Sequence, residues 1–168
     1  QRAAALCKCD LLTNMVFEFP ELQGVMGRYY ALHDGEDPEV ASALDEQYQP
    51  RFAGDTLPAT RTGQVLAIAE RLDTLTGIFA IGQTPTGDKD PFGLRRAALG
   101  LLRILVEKQL DLDLQDMIAT AAANFPAELQ AGKAVPALLN FILERLRSWY
   151  LEAGFTAQDF DAVMARQP

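Results

Sequence analysis

The sequence predicts an all-α protein, and three observations support that fold class. Apolar residues recur at helical spacing along most of the 168 positions, whereas the alternation typical of strands is nearly absent. Prolines and turn residues separate the periodic segments from one another. The composition, 49% hydrophobic and 23% charged, is that of a globular protein with a packed core.

The ends of the helices follow from cap and stop signals. Asp37 is a predicted N-cap, Thr60 or Thr62 can cap the next helix, and Thr156 caps the last one. Gly154 is a predicted C′ residue that ends the long helix before it. The periodic segments between these signals predict helices over residues 2–19, 21–32, 37–48, 60–80, 94–105, 113–123, 134–152 and 156–164.

Glycine and proline are densest between residues 82 and 91, which indicates a boundary within the chain. We therefore expect a helical domain over residues 1–81 and a turn-rich connection over residues 82–91. Residues 92–168 are expected to form a helical extension that packs on the first domain. No internal repeat or low-complexity segment is present.

The charge balance disfavours partners that are themselves negatively charged. A formal net charge of -8, from 23 acidic and 15 basic residues, argues against nonspecific binding to nucleic acid or to an anionic membrane.

No apolar run reaches the roughly 20 residues that span a bilayer. We expect no signal peptide, and a first residue of Gln1 rather than methionine suggests that the chain is cut from a longer protein. We expect a cytoplasmic protein in which Cys7 and Cys9 are buried free thiols.

The dipeptide His33-Asp34 resembles the metal-binding pair of HD-type phosphohydrolases. That chemistry needs at least two imidazoles and two carboxylates around the metal, and this chain has a single histidine. The pair also lies in a polar turn rather than inside a helix. A surface turn is the favoured interpretation, and a residual metal phosphohydrolase centred on His33 and Asp34 is an alternative.

Other catalytic patterns are missing from the sequence. There is no phosphate-binding P-loop and no glycine-rich dinucleotide motif that follows a strand. The single histidine has no plausible nucleophile and carboxylate around it that would form a triad. We therefore predict no catalytic residue and no metal ligand within this chain.

A group of basic residues is the better candidate for a binding site. Lys89, Arg96 and Arg103 are spaced seven apart, and Arg95 is adjacent. On one continuous helix this spacing would place three cations in a stripe opposite an apolar face, as expected for a surface that contacts RNA phosphates. The alternative is a solvated basic face that pairs with neighbouring acids or contacts another protein.

The segments Cys7–Ala31, Glu46–Arg51, Leu72–Leu75 and Pro85–Arg96 closely resemble the β subunit of the bacterial two-subunit glycyl-tRNA synthetase. The Glu-Phe-Pro-Glu-Leu-Gln-Gly and Asp-Pro-Phe-x-Leu-Arg-Arg runs are the most specific of these matches. The resemblance is dense over residues 6–105 and looser beyond them.

The resemblance implies an internal fragment of the β subunit, with a degenerate HD-type helical domain followed by a helical linker. The family usually carries His and Asp where this chain has Gln47 and Glu70, which weakens any metal site. The implied partners are the catalytic α subunit, glycine tRNA and the remaining β-subunit domains, with no membrane. ATP and magnesium would serve the whole enzyme, and the fragment alone would be inactive. The implied role is positioning of tRNA, and a purely structural helical spacer is an alternative.

Overall fold

The computed structural model describes residues 1–166, which form α-helices joined by short 3-10 helices and loops. No β-strand occurs within this range, so the predicted all-α class is confirmed. The α-helices of the described residues are α1 (Arg2–Leu6), α2 (Asn14–Glu18), α3 (Val25–His33), α4 (Pro38–Glu46), α5 (Arg61–Ala80), α6 (Leu94–Glu107), α7 (Leu114–Ala123), α8 (Val135–Glu152) and α9 (Ala157–Met164).

The chain divides into two compact units. Unit 1 consists of Gln1–Asp73 and Arg103–Asp111, and unit 2 of Thr74–Leu102 and the residues from Leu112 onward. The divisions therefore fall inside helices α5 and α6. The boundaries expected at residues 82–91 and the likeness of residues 1–81 to an HD domain stay predictions.

The core of unit 1 is built largely from small residues. Ala3, Ala43 and Leu66 form one buried cluster, against which Cys7 and Val40 pack. A second cluster joins Ala31 of α3 to Ala41 and Leu44 of α4. Alanine at these positions lets helices α1, α3 and α4 approach closely.

Larger side chains fill unit 2. Leu75 and Phe79 from α5, Leu94 from α6 and Ile142 from α8 are buried. The rings of Phe79 and Phe141 meet edge to face, with centroids 5.1 Å apart and planes at 60°. This geometry suits the quadrupoles of two aromatic rings.

Several predicted helix ends are confirmed. The Asp37 carboxylate accepts a hydrogen bond from the Glu39 N–H at 2.8 Å, and the Thr60 hydroxyl accepts one from the Gly63 N–H at 3.0 Å. Thr156 and Asp159 form a reciprocal capping box at the start of α9. Gly154 has a φ of +96° directly after the C-cap of α8.

The prediction of one continuous helix over residues 2–19 is wrong. Helix α1 ends at Leu6, a 3-10 helix covers Cys9–Leu12, and α2 starts only after Thr13, whose backbone is extended. Two polar side chains explain the break. The Thr13 hydroxyl accepts a hydrogen bond from the Val16 N–H at 3.4 Å, and the buried Asp10 carboxylate accepts one from the Gly24 N–H at 2.6 Å. Such side chains compete with the helical ladder for backbone groups.

The second helix begins later than its apolar pattern predicted. Pro20–Leu22 is a short 3-10 helix, and α3 starts at Val25. Gly24 lies between them with a φ of +82°, which favours glycine. A Cβ atom added at Gly24 would lie 2.6 Å from the Tyr48 ring, so the close approach of the two segments also requires glycine.

The two cysteines are free thiols, but they differ in exposure. Cys7 is half-buried and Cys9 is exposed. The expectation that both thiols are buried is therefore wrong for Cys9. The cause is the end of α1 at Leu6, which leaves Cys9 in the following 3-10 helix.

Arg71 of α5 anchors the segment that follows α4. Its guanidinium is buried and donates to the carbonyl oxygens of Gln47 at 3.1 Å and Pro50 at 3.1 Å. Further hydrogen bonds reach the carbonyls of Ala67 at 2.9 Å and Tyr48 at 3.4 Å. Burial lowers the pKa of Arg71.

Within residues 1–166, no helix is both long and apolar enough to cross a membrane.

Candidate functional site

The basic residues singled out in the sequence lie around the loop before α6. Residues 81–93 lie outside the helices, and α6 begins at Leu94. Within the loop, Thr86 and Lys89 exchange two backbone hydrogen bonds of 3.1 Å and 3.0 Å. Lys89 is exposed and precedes the helix. It therefore does not share a helical stripe with Arg96 and Arg103, as the seven-residue spacing had suggested.

Asp90 fixes the loop to the start of α6. Its carboxylate oxygens accept hydrogen bonds from the Leu94 N–H at 2.8 Å and the Arg95 N–H at 2.9 Å. A carboxylate at this position satisfies free amide groups and complements the helix dipole. The cap also fills the place where the helix terminus would otherwise bind an external anion. Sequence reasoning missed this cap, although an aspartate just before a helical pattern is a capping signal.

Arg95 and Arg96 are adjacent in sequence but serve different neighbours. The Arg95 side chain is half-buried and donates from Nη2 to the Gly87 carbonyl. Arg96 is exposed. Gly93 has a φ of +65°, and a Cβ atom there would lie 3.1 Å from the Arg96 Nη2 atom. The missing side chain at Gly93 thus leaves room for the Arg96 guanidinium.

Arg103 belongs to unit 1 and is held by that unit. Its Nε donates to the Glu107 carboxylate at 2.7 Å, and its Nη2 donates to the Asp55 carbonyl at 3.1 Å. The side chain is only 15% exposed. The third nitrogen, Nη1, has no hydrogen-bond partner but is buried, so a phosphate could reach this guanidinium only if bonds already formed were displaced or neighbouring groups moved.

Three of the four candidate residues lie in unit 2, in the loop before α6 or in the first turn of that helix. Two of them, Lys89 and Arg96, present their charges to solvent, while Arg95 braces the loop between them. Arg103 lies in the other unit and is neutralised by Glu107. The chemistry available at the loop is that of an exposed pair of cations on a well-anchored backbone, which suits contact with phosphates.

His33 and Asp34 lie at the end of α3, on the surface. Their side chains are 88% and 75% exposed, with 3.3 Å between His33 Nδ1 and Asp34 Oδ1. Within the part of the chain that the structure describes, no three His, Cys, Asp or Glu side chains come together as a metal site. No observation on these residues favours the phosphohydrolase alternative.

Unit 1 also contains an open pocket of about 380 Å³ beside α3. The Arg2 and Glu36 side chains form an ion pair at this pocket. Their mutual hydrogen bond raises the pKa of Arg2 and lowers that of Glu36. The pocket is lined by Arg2, Leu6, Cys9, Asp10, Thr13, Gly27, Tyr30, Ala31, Asp34, Glu36 and Leu44.

Comparison with known proteins gives one consistent result. A family model described as glycyl-tRNA synthetase beta subunit matches residues 1–165. The chain is 58% identical over 167 residues to the glycine–tRNA ligase beta subunit of Erwinia tasmaniensis, covering 99% of this chain and 24% of that protein. Identity is 57% over 167 residues to the same subunit of Proteus mirabilis. It is 56% over 168 residues to that of Glaesserella parasuis. The chain spans about a quarter of the length of the curated relatives it matches.

Proposed function

Because the chain belongs to the glycyl-tRNA synthetase beta subunit family, we propose that it helps to position glycine tRNA and to assemble the α/β enzyme. The whole enzyme would join glycine to its tRNA in the cytoplasm, using ATP and magnesium. The α subunit would supply the reacting groups. The described part of this chain would contribute binding and scaffold residues, with no catalytic residue of its own.

The observation that carries this proposal is the pair of exposed cations at the loop before α6. Lys89 and Arg96 flank a loop that the Thr86–Lys89 hydrogen bonds and the Asp90 cap hold in one conformation. A fixed loop loses little conformational entropy when it binds. Such a loop is a better phosphate-binding element than two cations on a flexible segment.

The other two basic residues have supporting roles in this proposal. Arg95 keeps the loop close to the helix through its bond to the Gly87 carbonyl, and its charge adds to the local positive potential. Arg103 stabilises unit 1 through Glu107 and Asp55. A direct phosphate contact by Arg103 would require the loss of these bonds, so we place it last among the four candidates.

The test is tRNA binding by the complete α/β enzyme that carries Lys89→Ala and Arg96→Ala together, measured across a salt titration. The slope of log affinity against log salt is negative, and each lost phosphate contact makes it less steep by about 0.7–0.9. The double variant should therefore bind more weakly and flatten the slope by about 1.5.

A matched control keeps the charge change constant. Arg61 and Lys133 are also exposed, and Arg61→Ala with Lys133→Ala removes the same two charges elsewhere. This control should leave the slope close to that of the unmodified enzyme. Unchanged affinity and slope in the Lys89/Arg96 double variant would exclude the loop from the tRNA path.

A second candidate role is that of a structural spacer without RNA contact. The engagement of Arg103 inside unit 1 favours it, because one predicted phosphate contact there serves packing instead. The salt titration separates the two roles. A spacer predicts that the Lys89/Arg96 variant and its control behave alike.

A further inference from the structure

Large apolar side chains that face solvent are concentrated in one part of unit 1. Eighteen such residues occur within residues 1–166, and eight of them lie between positions 11 and 32. Leu12 is 87% exposed and Phe17 is 79% exposed. Concentrated exposure of this kind marks an interaction surface more often than a free one. The 11–32 apolar face consists of Leu11, Leu12, Met15, Phe17, Phe19, Tyr29, Tyr30 and Leu32.

The backbone under this face is held firmly. The 3-10 helix Cys9–Leu12 packs against both α2 and α3, so consecutive elements of the segment lie side by side. The Asp10 carboxylate joins the 3-10 helix to Gly24 in front of α3 through the 2.6 Å bond. Val16 and Ala31 point inward and are buried. The segment therefore carries apolar side chains that are buried in unit 1 and others that are left exposed there.

The charges around the face select the kind of partner. Glu18 and Glu21 are exposed within this segment, and Asp34 is exposed two positions beyond it. The guanidinium of Arg28 lies 5.4 Å from the centre of the Tyr29 ring. Aromatic side chains can stack on RNA bases, but binding of a nucleic acid strand also needs cations along its backbone. Acidic side chains thus outnumber basic ones beside the apolar residues, which disfavours RNA and suits a protein surface that is apolar at its centre and basic at its edge.

We propose that the 11–32 apolar face is covered by another part of the beta-subunit polypeptide, through an apolar patch with a lysine- or arginine-rich rim. The matched segment is 24% of the length of the relatives, so most of a beta subunit lies outside it. A patch on the same polypeptide has a high effective concentration and can bind before a separate subunit does. Covering the face during folding also removes a surface that would promote aggregation. This inference rests on the family membership and not on the phosphate contacts of Lys89 and Arg96.

Hydroxyl-radical footprinting of the full-length beta subunit tests the proposal on native residues. Met15, Phe17 and Tyr29 are reactive side chains, and mass spectrometry reads the modification of each peptide. In the beta subunit alone, we expect these residues to react at least about fivefold more slowly than in the urea-unfolded subunit, as buried interface residues do. Exposed residues on an open surface would react at similar rates in both states.

Parallel measurements distinguish the other occupants, and each of the following outcomes would overturn the proposal. Rapid labelling in the beta subunit alone with protection in the α/β complex assigns the face to the α subunit. Protection that disappears on dilution assigns it to a second copy, and protection that needs tRNA assigns it to RNA. Rapid labelling in every state shows an open face.

A substitution provides an independent measurement. Phe17→Glu should increase the labelling of Met15 in the beta subunit alone, because a charge in the interface separates the two surfaces. Val163→Glu is the matched control, since Val163 is 57% exposed and lies in α9 of unit 2. This control should leave the labelling of Met15 unchanged. An equal response to both variants would contradict the proposal.

Discussion

The guanidinium of Arg103 donates from Nε to a carboxylate oxygen of Glu107 at 2.7 Å, one turn further along α6. The same group reaches the backbone carbonyl of Asp55 at 3.1 Å, across 48 positions of sequence. A residue that sequence spacing assigned to RNA thus joins a loop to a helix within unit 1. The two assignments make different predictions for the same substitution.

We expect Arg103→Ala to lower the free energy of unfolding of the 168-residue chain by about 1–2 kcal/mol, because it removes a charge-assisted bond and a carbonyl partner. Arg96→Ala should change it by less than about 0.5 kcal/mol, as is usual for an exposed side chain. Urea denaturation followed by circular dichroism measures both. A larger effect of Arg96→Ala would contradict the structural role of Arg103.

Gly63→Ala should be strongly destabilising. A Cβ atom at position 63 would lie 2.8 Å from the Glu46 Cβ atom and would collide with the Glu46 carboxylate. That carboxylate accepts hydrogen bonds from the Thr60 N–H at 3.1 Å and the Thr60 hydroxyl at 2.5 Å. We expect a loss of about 1–3 kcal/mol in the free energy of unfolding.

Gly132→Ala is the control for this substitution. At position 132 an added Cβ atom would have open space within 4 Å, and the backbone φ is not in the left-handed region. The substitution should therefore be neutral or slightly stabilising. Similar losses for both variants in urea denaturation would show that backbone freedom, and not the contact with Glu46, is responsible.

Tyr48 should make stability fall at alkaline pH. Burial raises its pKa to about 12, whereas a tyrosine in an unfolded chain ionises near about 10. The unfolded state therefore loses its proton first, and stability that is present below about pH 10 decreases as the pH rises toward 12. Tyr48→Phe should reduce this decrease by about 1–2 kcal/mol. Denaturation of both proteins between pH 9 and about 12 measures the difference, and parallel curves would contradict the assignment.

The two thiols should differ in reactivity. Cys9 is exposed and Cys7 is half-buried, and burial raises the pKa of the Cys7 thiol. Because only the thiolate attacks, Cys9 should react with a disulfide reagent about tenfold faster than Cys7 at pH 8. The variants Cys7→Ser and Cys9→Ser isolate one thiol each. Equal rates in the folded proteins would show that α1 opens readily.

The sequence predicted most helix ends because the signals for them are local. Asp37, Thr60 and Thr156 each cap a helix through a bond that spans two or three residues. The break between α1 and α2 was missed for the opposite reason. Leu6, Cys9 and Val16 imitate one apolar helix face, while the Asp10 bond that ends the pattern goes to Gly24, 14 positions away.

The candidate site was predicted only in part for the same physical reason. Residue type and spacing identified a basic segment, and the loop before α6 does present Lys89 and Arg96 to solvent. The sequence could not show that Asp55 and Glu107 occupy the Arg103 guanidinium, since one of these partners is distant in the chain. The apolar face was missed because periodicity does not show which apolar residues a neighbouring segment covers. Five of its residues, between Leu11 and Phe19, also lie in a predicted helix that does not form.

The buried guanidinium of Arg71 has a consequence for acid tolerance. Its four hydrogen bonds end on backbone carbonyl oxygens of Gln47, Tyr48, Pro50 and Ala67. Carbonyl groups do not take up protons in the range in which carboxylates do, so these bonds keep their strength when surface ion pairs such as Arg2–Glu36 are titrated away. The anchor between α5 and the segment after α4 should therefore be among the last contacts of unit 1 to be lost on acidification.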